Sequence, residues 1–231
     1  MDIIKKLAQE LTIKEEQAKA AVQLIDEGNT IPFIARYRKE MTGALNDETL
    51  RNLHERLLYL RNLEEKKEQV INAITEQGKM TDDLKKKILA AETLVAVDDL
   101  YRPYRPKKQT RATKAKEKGL EPLANILLLQ ATSKSMEEEA QSFVDEAKGV
   151  VNAKEALAGA KDIIAEMIAD KADYRKSIRN CTMKQGRLVV KAKDEKAESV
   201  YEMYYDFSEE LSKITGYRVL AINRGEKVSY G

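Results

Sequence analysis

The stretch that decides the fold is DETLRNLHERLLYLRNLEEKKEQVINAITEQ, from Asp47 to Gln77. Its leucines recur every three or four residues, at positions 50, 53, 57, 60 and 63, and Val70 and Ile74 continue the series. Arg, Glu and Lys fill the opposite side. This spacing predicts one amphipathic helix of about 45 Å, because an α-helix rises about 1.5 Å per residue. We expect Gly78 to end it.

The residues before this helix predict three short helices joined by tight turns. Asp2–Leu11 is amphipathic, and a second apolar stripe ends at Gly28. Thr30 and Pro32 suit the start of a third helix, with Phe33, Ile34 and Tyr37 expected on its buried side. The arrangement resembles a helix-turn-helix, although many helical bundles that bind no DNA have the same pattern.

The residues after the long helix predict further helices and a small β element. A helical pattern runs from Asn152 to Cys181, and the polar DKAD at Asp170–Asp173 favours its division into two helices. GRLVVKA at Gly186–Ala192 and RVLAIN at Arg218–Asn223 have the apolar composition of strands. The expected fold class is mainly α: multi-helical, with a helix-turn-helix-like start, a long central helix and a small β element near the carboxy end.

A concentrated basic segment, RPYRPKKQTRATKAKEK, occupies Arg102–Lys118. It holds eight Lys or Arg and one acid, a local charge of +7, whereas the whole chain carries only +2. Pro103 and Pro106 restrict the backbone and lack amide donors, so Tyr101–Pro106 is predicted to be an extended strap. We call residues 101–118 the basic strap. Clustered cations beside tyrosines favour a polyphosphate partner, and a solvated loop is the alternative.

The length of 231 residues allows one large or two small domains. We expect residues 1–78 to form the helix-turn-helix-like bundle together with the long helix. Residues 79–231 are expected to form a helical domain that contains the basic strap and the small β element.

The composition argues against catalysis. The single histidine, His54, and the single cysteine, Cys181, both lie on apolar helical seams, where packing roles are expected. No phosphate-loop, dinucleotide-binding or metalloprotease motif is present. A magnesium-dependent nuclease using Asp98 and Asp99 is a distant alternative, since neighbouring helical residues point in different directions. Balancing nearby arginines suits these acids better. We expect no enzyme activity, no cofactor, no membrane partner and a cytoplasmic protein.

Two long stretches are similar to one known family. They are DEGNTIPFIARYRKEMTGALND at Asp26–Asp47 and DDLYRPYRPKKQTRATKAKEKGLEPLA at Asp98–Ala124, and YYDFSEEL and LAINRGE extend the match. They resemble the amino-terminal helical region of the Tex transcription accessory proteins. The resemblance implies a bacterial protein that acts in transcription and binds nucleic acid through a larger molecule. That molecule continues into ribonuclease-H-like, helix-hairpin-helix and RNA-binding OB-fold domains, so we expect this chain to be a fragment that lacks them.

The sequence is compatible with two functions. In the first, the region is a scaffold that makes weak, salt-dependent and sequence-independent contacts to RNA or DNA. In the second, it is a structural and protein-interaction module that braces the downstream domains or docks on transcription machinery, with arginines paired to acids across an interface. Tyr101 and Tyr104 are expected either to stack on bases or to anchor the strap. The candidate nucleic-acid-binding residues are Arg36, Arg38, Lys39, Tyr101, Arg102, Tyr104, Arg105, Lys107, Lys108, Arg111 and Lys114.

Overall fold

The computed structural model describes residues 2–106 and 108–228, with only the backbone of residue 228. These residues form thirteen α-helices and one two-stranded antiparallel sheet, which confirms the mainly α fold class. The chain divides into two compact units, unit 1 up to residue 107 and unit 2 from residue 108 onward.

Unit 1 contains seven α-helices and a terminal 3-10 turn within its described residues. In chain order these are α1 Ile3–Leu11, α2 Glu15–Asp26, α3 Ile31–Tyr37, α4 Lys39–Thr42, α5 Asp47–Glu76, α6 Asp82–Ala90, α7 Leu94–Tyr101 and the turn Arg102–Tyr104.

Helix α5 confirms the long helix predicted from the leucine spacing and spans thirty residues. Its amino end is capped by Asn46, whose side-chain oxygen accepts a hydrogen bond of 2.7 Å from the Thr49 amide. One continuous face is buried along the whole helix. The buried residues are Leu50, Leu53, Leu57, Leu60, Leu63, Lys67, Val70 and Ile74.

The amino-terminal half of α5 packs against the first three helices. Leu7 of α1, Leu24 of α2 and Ile34 of α3 are at most 1% exposed and share one core with the α5 leucines. Two forked ion pairs reinforce this packing. Arg56 donates to Glu10 at 2.6 and 2.9 Å, and Arg61 donates to Asp26 at 2.7 Å through both terminal nitrogens.

The carboxy-terminal half of α5 packs against α6 and α7. Ile88 and Val97 are fully buried against Val70 and Ile74. This shared core explains why the compact unit continues to residue 107, whereas the sequence prediction divides the chain after residue 78. Helices α6 and α7 bury their apolar faces on α5 and therefore belong to unit 1.

Lys67 is the one charged residue on the buried face of α5, and its charge is paired. Its side chain is 2% exposed, and its Nζ donates to Glu64 Oε1 at 2.8 Å and to the Leu89 carbonyl at 2.9 Å. A buried ammonium is tolerated only when its donors are satisfied. Lys67 thereby links α5 to the end of α6.

Unit 2 contains six α-helices and the sheet within its described residues. In chain order these are α8 Arg111–Glu117, α9 Glu121–Leu129, α10 Met136–Gln141, α11 Ala153–Ala169, α12 Ala172–Gln185, β1 Arg187–Lys191, β2 Asp206–Glu210 and α13 Gly216–Val228. The expected break at Asp170–Asp173 is confirmed, since α11 ends at Ala169.

Helix α11 is the centre of the unit 2 core. Its Ala156, Ala160 and Ile163 are fully buried among the apolar residues of α8, α9 and α10. Gly159 allows an especially close approach, because a Cβ at this position would collide with Leu120 Cδ1 and lie 3.2 Å from Ala115 Cβ.

The sheet corrects one strand prediction. Strand β1 lies inside the predicted Gly186–Ala192, and it pairs with β2 from Arg187 opposite Glu210 to Lys191 opposite Asp206. The prediction of a strand at Arg218–Asn223 is wrong, because these residues lie in α13. A short apolar run has no periodicity that separates a strand from a helix.

We predict that Gly159→Ala destabilises unit 2 by about 1–2 kcal/mol, although alanine normally favours a helix by up to about 1 kcal/mol over glycine. The new methyl group collides with Leu120, which is 2% exposed and must repack. Chemical denaturation followed by circular dichroism measures the loss. In a Leu120→Ala background the same change becomes neutral or stabilising, and a cost that persists there contradicts the collision.

We also predict that the ion pairs of unit 1 lose their stabilising effect in acid. Hydrogen bonds from Arg56 and Arg61 lower the pKa of Glu10 and of Asp26, respectively, in the folded protein. A carboxyl with a lowered pKa stabilises the fold above its unfolded pKa, and the effect disappears as the pH falls through the folded pKa.

A Glu10→Gln, Asp26→Asn variant should therefore be less stable than the parent at about pH 7, by about 1 kcal/mol or less per solvent-accessible pair. The difference should shrink as the pH falls below about 4.5, the ordinary pKa of the glutamate. Urea denaturation at both pH values measures it, with the exposed Glu68→Gln as control. A difference that is unchanged in acid would mean that packing, and not charge, is responsible.

Candidate nucleic-acid interface

Helices α3 and α4 carry an exposed basic and aromatic surface, which we call the α3–α4 patch. Phe33 and Tyr37 lie four residues apart on α3, with ring centroids 5.3 Å apart and an interplanar angle of 45°. They are 36% and 59% exposed, so the expectation that they are buried is wrong, and only Ile34 is buried. The patch consists of Phe33, Arg36, Tyr37, Arg38, Lys39 and Met41.

The cations of this patch keep their charge available. Arg36, Arg38 and Lys39 are all exposed, and none forms an ion pair with a carboxylate of residues 2–106 or 108–228. The Arg38 guanidinium lies 5.4 Å from the centroid of the Phe33 ring, within the range of a cation–π contact. The patch thus offers three unneutralised cations beside two exposed aromatic rings.

The backbone under the patch is held by Gln17 of α2. Its amide Nε2 donates to the Thr42 carbonyl at 3.2 Å and to the Gly43 carbonyl at 3.0 Å, while its oxygen accepts from the Lys14 amide at 3.1 Å. Gly43 ends α4 with φ 60°, the left-handed conformation that favours glycine. These contacts fix the end of α4 on α2.

The basic strap has a different structure from the predicted one. Tyr101 is the last residue of α7, and Arg102–Tyr104 continues it as a 3-10 turn. The prediction of an extended Tyr101–Pro106 is therefore wrong for its first four residues. Pro103 is tolerated because it lies at the start of the turn, where its missing donor has no partner to lose. Lys107 lies outside the described residues.

The two strap tyrosines are anchors of unit 1. Tyr101 and Tyr104 are half-buried and pack against the core of α5, α6 and α7. The Tyr104 carbonyl also accepts a hydrogen bond of 2.9 Å from Gln77 Nε2. Of the two roles expected for these tyrosines, anchoring the strap is the one that this packing supports.

Several strap cations have intramolecular partners. Arg105 donates to Asp98 at 3.0 Å, as expected for an acid that balances nearby arginines. Arg111 Nε lies 3.6 Å from Asp162, and Lys118 donates to the Gly149 carbonyl at 2.7 Å. The local charge of +7 therefore overstates the charge that the strap offers to a ligand.

Unit 2 contributes a second, weaker basic surface along α8. Arg111, Lys114 and Lys118 line an open cavity of about 280 Å³ that also contains Glu155 and Asp162. Lys108 and Lys114 are exposed and form no ion pair among the described residues, whereas exposed Arg102 of unit 1 has an interaction partner. The acids in the cavity leave this surface less positive than the α3–α4 patch.

The described residues contain neither a membrane-spanning helix nor a cluster of metal ligands. No helix in these ranges is long and apolar enough to cross a membrane. The acids Asp98 and Asp99 also belong to no cluster of three or more metal-ligand residues within the described chain. Asp98 is paired with Arg105, and Asp99 is 5% exposed.

Comparison with known proteins gives three informative relatives. Over 96% of its length the chain is 44% identical to the uncharacterized protein YdcI of Bacillus subtilis. It is 42% identical over 97% of its length to the transcriptional accessory protein Tex of Neisseria gonorrhoeae. The human S1 RNA-binding domain-containing protein 1 is 31% identical over 98% of the chain. The chain spans 31%, 30% and 23% of these relatives, respectively.

By its fold, this is a mainly helical protein of two compact units. The family follows from two models that match different parts of the chain, the Tex-like protein N-terminal domain over residues 1–75 and the Tex central region-like model over residues 131–230. The chain belongs to the Tex family, as the sequence resemblance predicts. The α3–α4 patch lies within the first matched region, whereas the basic strap falls between the two.

We predict that Gln17→Glu destabilises unit 1 by about 2 kcal/mol. The substitution keeps the size of the side chain and its acceptor for Lys14, but it removes two donors and places a carboxylate against two carbonyl oxygens. Chemical denaturation measures the loss, and amide hydrogen exchange should accelerate at Thr42 and Gly43. The exposed Gln9→Glu is the charge-matched control. Equal stability of the two variants would show that Gln17 does not hold α4.

Proposed function

We propose that this chain provides an auxiliary, sequence-independent nucleic-acid contact within a transcription accessory protein, chiefly through the α3–α4 patch. The observation that carries the proposal is the coincidence of three unpaired, exposed cations with two exposed aromatic rings. Cations that neutralise phosphates release counterions and thereby drive binding without reading sequence. The basic surface of α8 adds a weaker contact in unit 2.

The names of the relatives support this proposal. The Neisseria gonorrhoeae relative is called a transcriptional accessory protein, and the human relative is named for an S1 RNA-binding domain. Both are more than three times as long as this chain. We therefore propose that the chain makes a supporting contact within a longer protein.

A second function is supported by a different observation in unit 2. Residues 171–227 include α12, both strands and most of α13, yet none of these residues is buried. Large apolar side chains are exposed along this segment, including Ile178 at 66%, Met203 at 75% and Tyr217 at 65%. Exposed apolar surface of this extent marks an interaction site. We propose that the segment docks another polypeptide, such as the additional domains of the longer relatives or a component of the transcription machinery.

The first proposal predicts a steep salt dependence that originates in the α3–α4 patch. Fluorescence anisotropy of the full chain with labelled RNA and DNA, between about 50 and about 200 mM salt, gives the slope of log K against log salt. An Arg36→Gln, Arg38→Gln, Lys39→Gln variant should weaken binding to all sequences and reduce this slope by about 2–3, because each phosphate contact contributes about 0.7–0.9.

Two matched variants test the assignment. Lys19→Gln, Lys85→Gln, Lys86→Gln removes the same number of exposed charges elsewhere in unit 1 and should change the slope little. Lys108→Gln, Arg111→Gln, Lys114→Gln should have an intermediate effect. An equal effect of all three variants would mean that only net charge matters. No binding by the parent chain at low salt would refute the first function and leave the docking segment as the better proposal.

A further inference from the structure

Helix α3 lacks the side chains with which a helix reads a DNA duplex. In a helix-turn-helix, the residues near the amino end of the recognition helix contact base edges in the major groove. Here the first turn consists of Ile31, Pro32 and Phe33, none of which has a side-chain hydrogen-bond donor or acceptor. Such a turn has no means of distinguishing base pairs by hydrogen bonding.

The same helix is well suited to unpaired bases. Bases stack on exposed aromatic rings, and arginine guanidinium groups add to such stacks. The Tyr37 ring is 59% exposed beside Phe33, and Arg38 lies over the Phe33 ring at 5.4 Å. In a duplex the base faces are already stacked on one another, so these rings have no base face to contact.

The patch is also held in place before any ligand arrives. Ile34, on the same helix as the two rings, is fully buried in the unit 1 core. Gln17 holds the end of α4 through the Thr42 and Gly43 carbonyls. A surface that is already ordered loses less conformational freedom on binding.

From this geometry we propose that the α3–α4 patch selects single-stranded over double-stranded nucleic acid, by stacking unpaired bases on Tyr37 and Phe33 while Arg36, Arg38 and Lys39 contact the flanking phosphates. The inference rests on the proposed nucleic-acid contact and adds its ligand class. In this proposal the phosphate contacts supply the affinity, and stacking on the two rings supplies the selectivity for single strands. Stacking depends little on base identity, so the site is indifferent to sequence.

The test compares four labelled probes of about twelve nucleotides by fluorescence anisotropy at about 50 mM salt. They are single-stranded RNA, single-stranded DNA, a duplex, and an abasic strand with the same number of phosphates. The full chain should bind either single strand about tenfold more tightly than the abasic strand, which corresponds to about one stacked base. RNA and DNA should bind alike, because stacking does not involve the 2′-hydroxyl.

A Phe33→Leu, Tyr37→Leu variant should lose this tenfold preference and keep the affinity for the abasic strand. Leucine maintains the apolar character and the helix propensity of these positions but offers no ring. Tyr174→Leu is the matched control, because Tyr174 is 47% exposed and also lies beside a cation, with Lys171 Nζ 5.2 Å from its ring. Circular dichroism verifies that each variant is folded.

The possible outcomes separate the two proposals. Equal binding to the single strands and the abasic strand, with a steep salt dependence, overturns the stacking inference and leaves the phosphate contact intact. Tighter binding to the duplex overturns the inference in the same way. If the Phe33→Leu, Tyr37→Leu variant still prefers single strands, the preference originates in another surface. That result refutes the role of these rings. The absence of binding to all four probes refutes both proposals.

Discussion

The buried face of α5 is the constraint on which unit 1 depends. A single helix of thirty residues supplies apolar contacts to α1, α2 and α3 at one end and to α6 and α7 at the other. The short helices are individually too short to be stable in water, so their packing on α5 is what orders them. Lys67 is tolerated on this face because its ammonium group donates hydrogen bonds to Glu64 and to the Leu89 carbonyl.

The position of α3 on this core determines which side chains form the patch. An α-helix turns by about 100° per residue, so with Ile34 facing the core, Phe33 and Tyr37 fall on one flank and Arg36 points almost directly away. The three cationic residues, Arg36, Arg38 and Lys39, all lie within one turn of the end of α3. The core therefore lies on the Ile34 side of α3 and leaves the flank that carries the two rings exposed.

The sequence predicted the parts of the fold that have a long, regular period. The leucine spacing was sufficient for α5, and three of the four helices before it, α1, α2 and α3, were also predicted. The four-residue α4 was not predicted, and Thr12, expected to open the second helix, ends α1 instead. The prediction failed at Arg218–Asn223, where six residues are too few to separate a strand from a helix, and at β2, whose DFSEE contains one typical strand residue, Phe207. Cys181, expected in a core, is exposed because α12 has no buried face. The apolar spacing was present there, but spacing alone does not show whether a partner covers it.

The candidate site was harder to predict because charge counted along a sequence is not the charge available to a ligand. The basic strap has the highest local charge, yet two of its cations, Arg105 and Arg111, lie against the carboxylates of Asp98 and Asp162. These two acids fall outside the segment in which the charge was counted. The α3–α4 patch has fewer cations but no such partners among the described residues. Electrostatic attraction for a phosphate depends on the unneutralised charge near the surface. The exposed segment 171–227 lies in the other unit, so a docking role for that segment and a nucleic-acid contact at α3 are compatible and do not compete for the same residues.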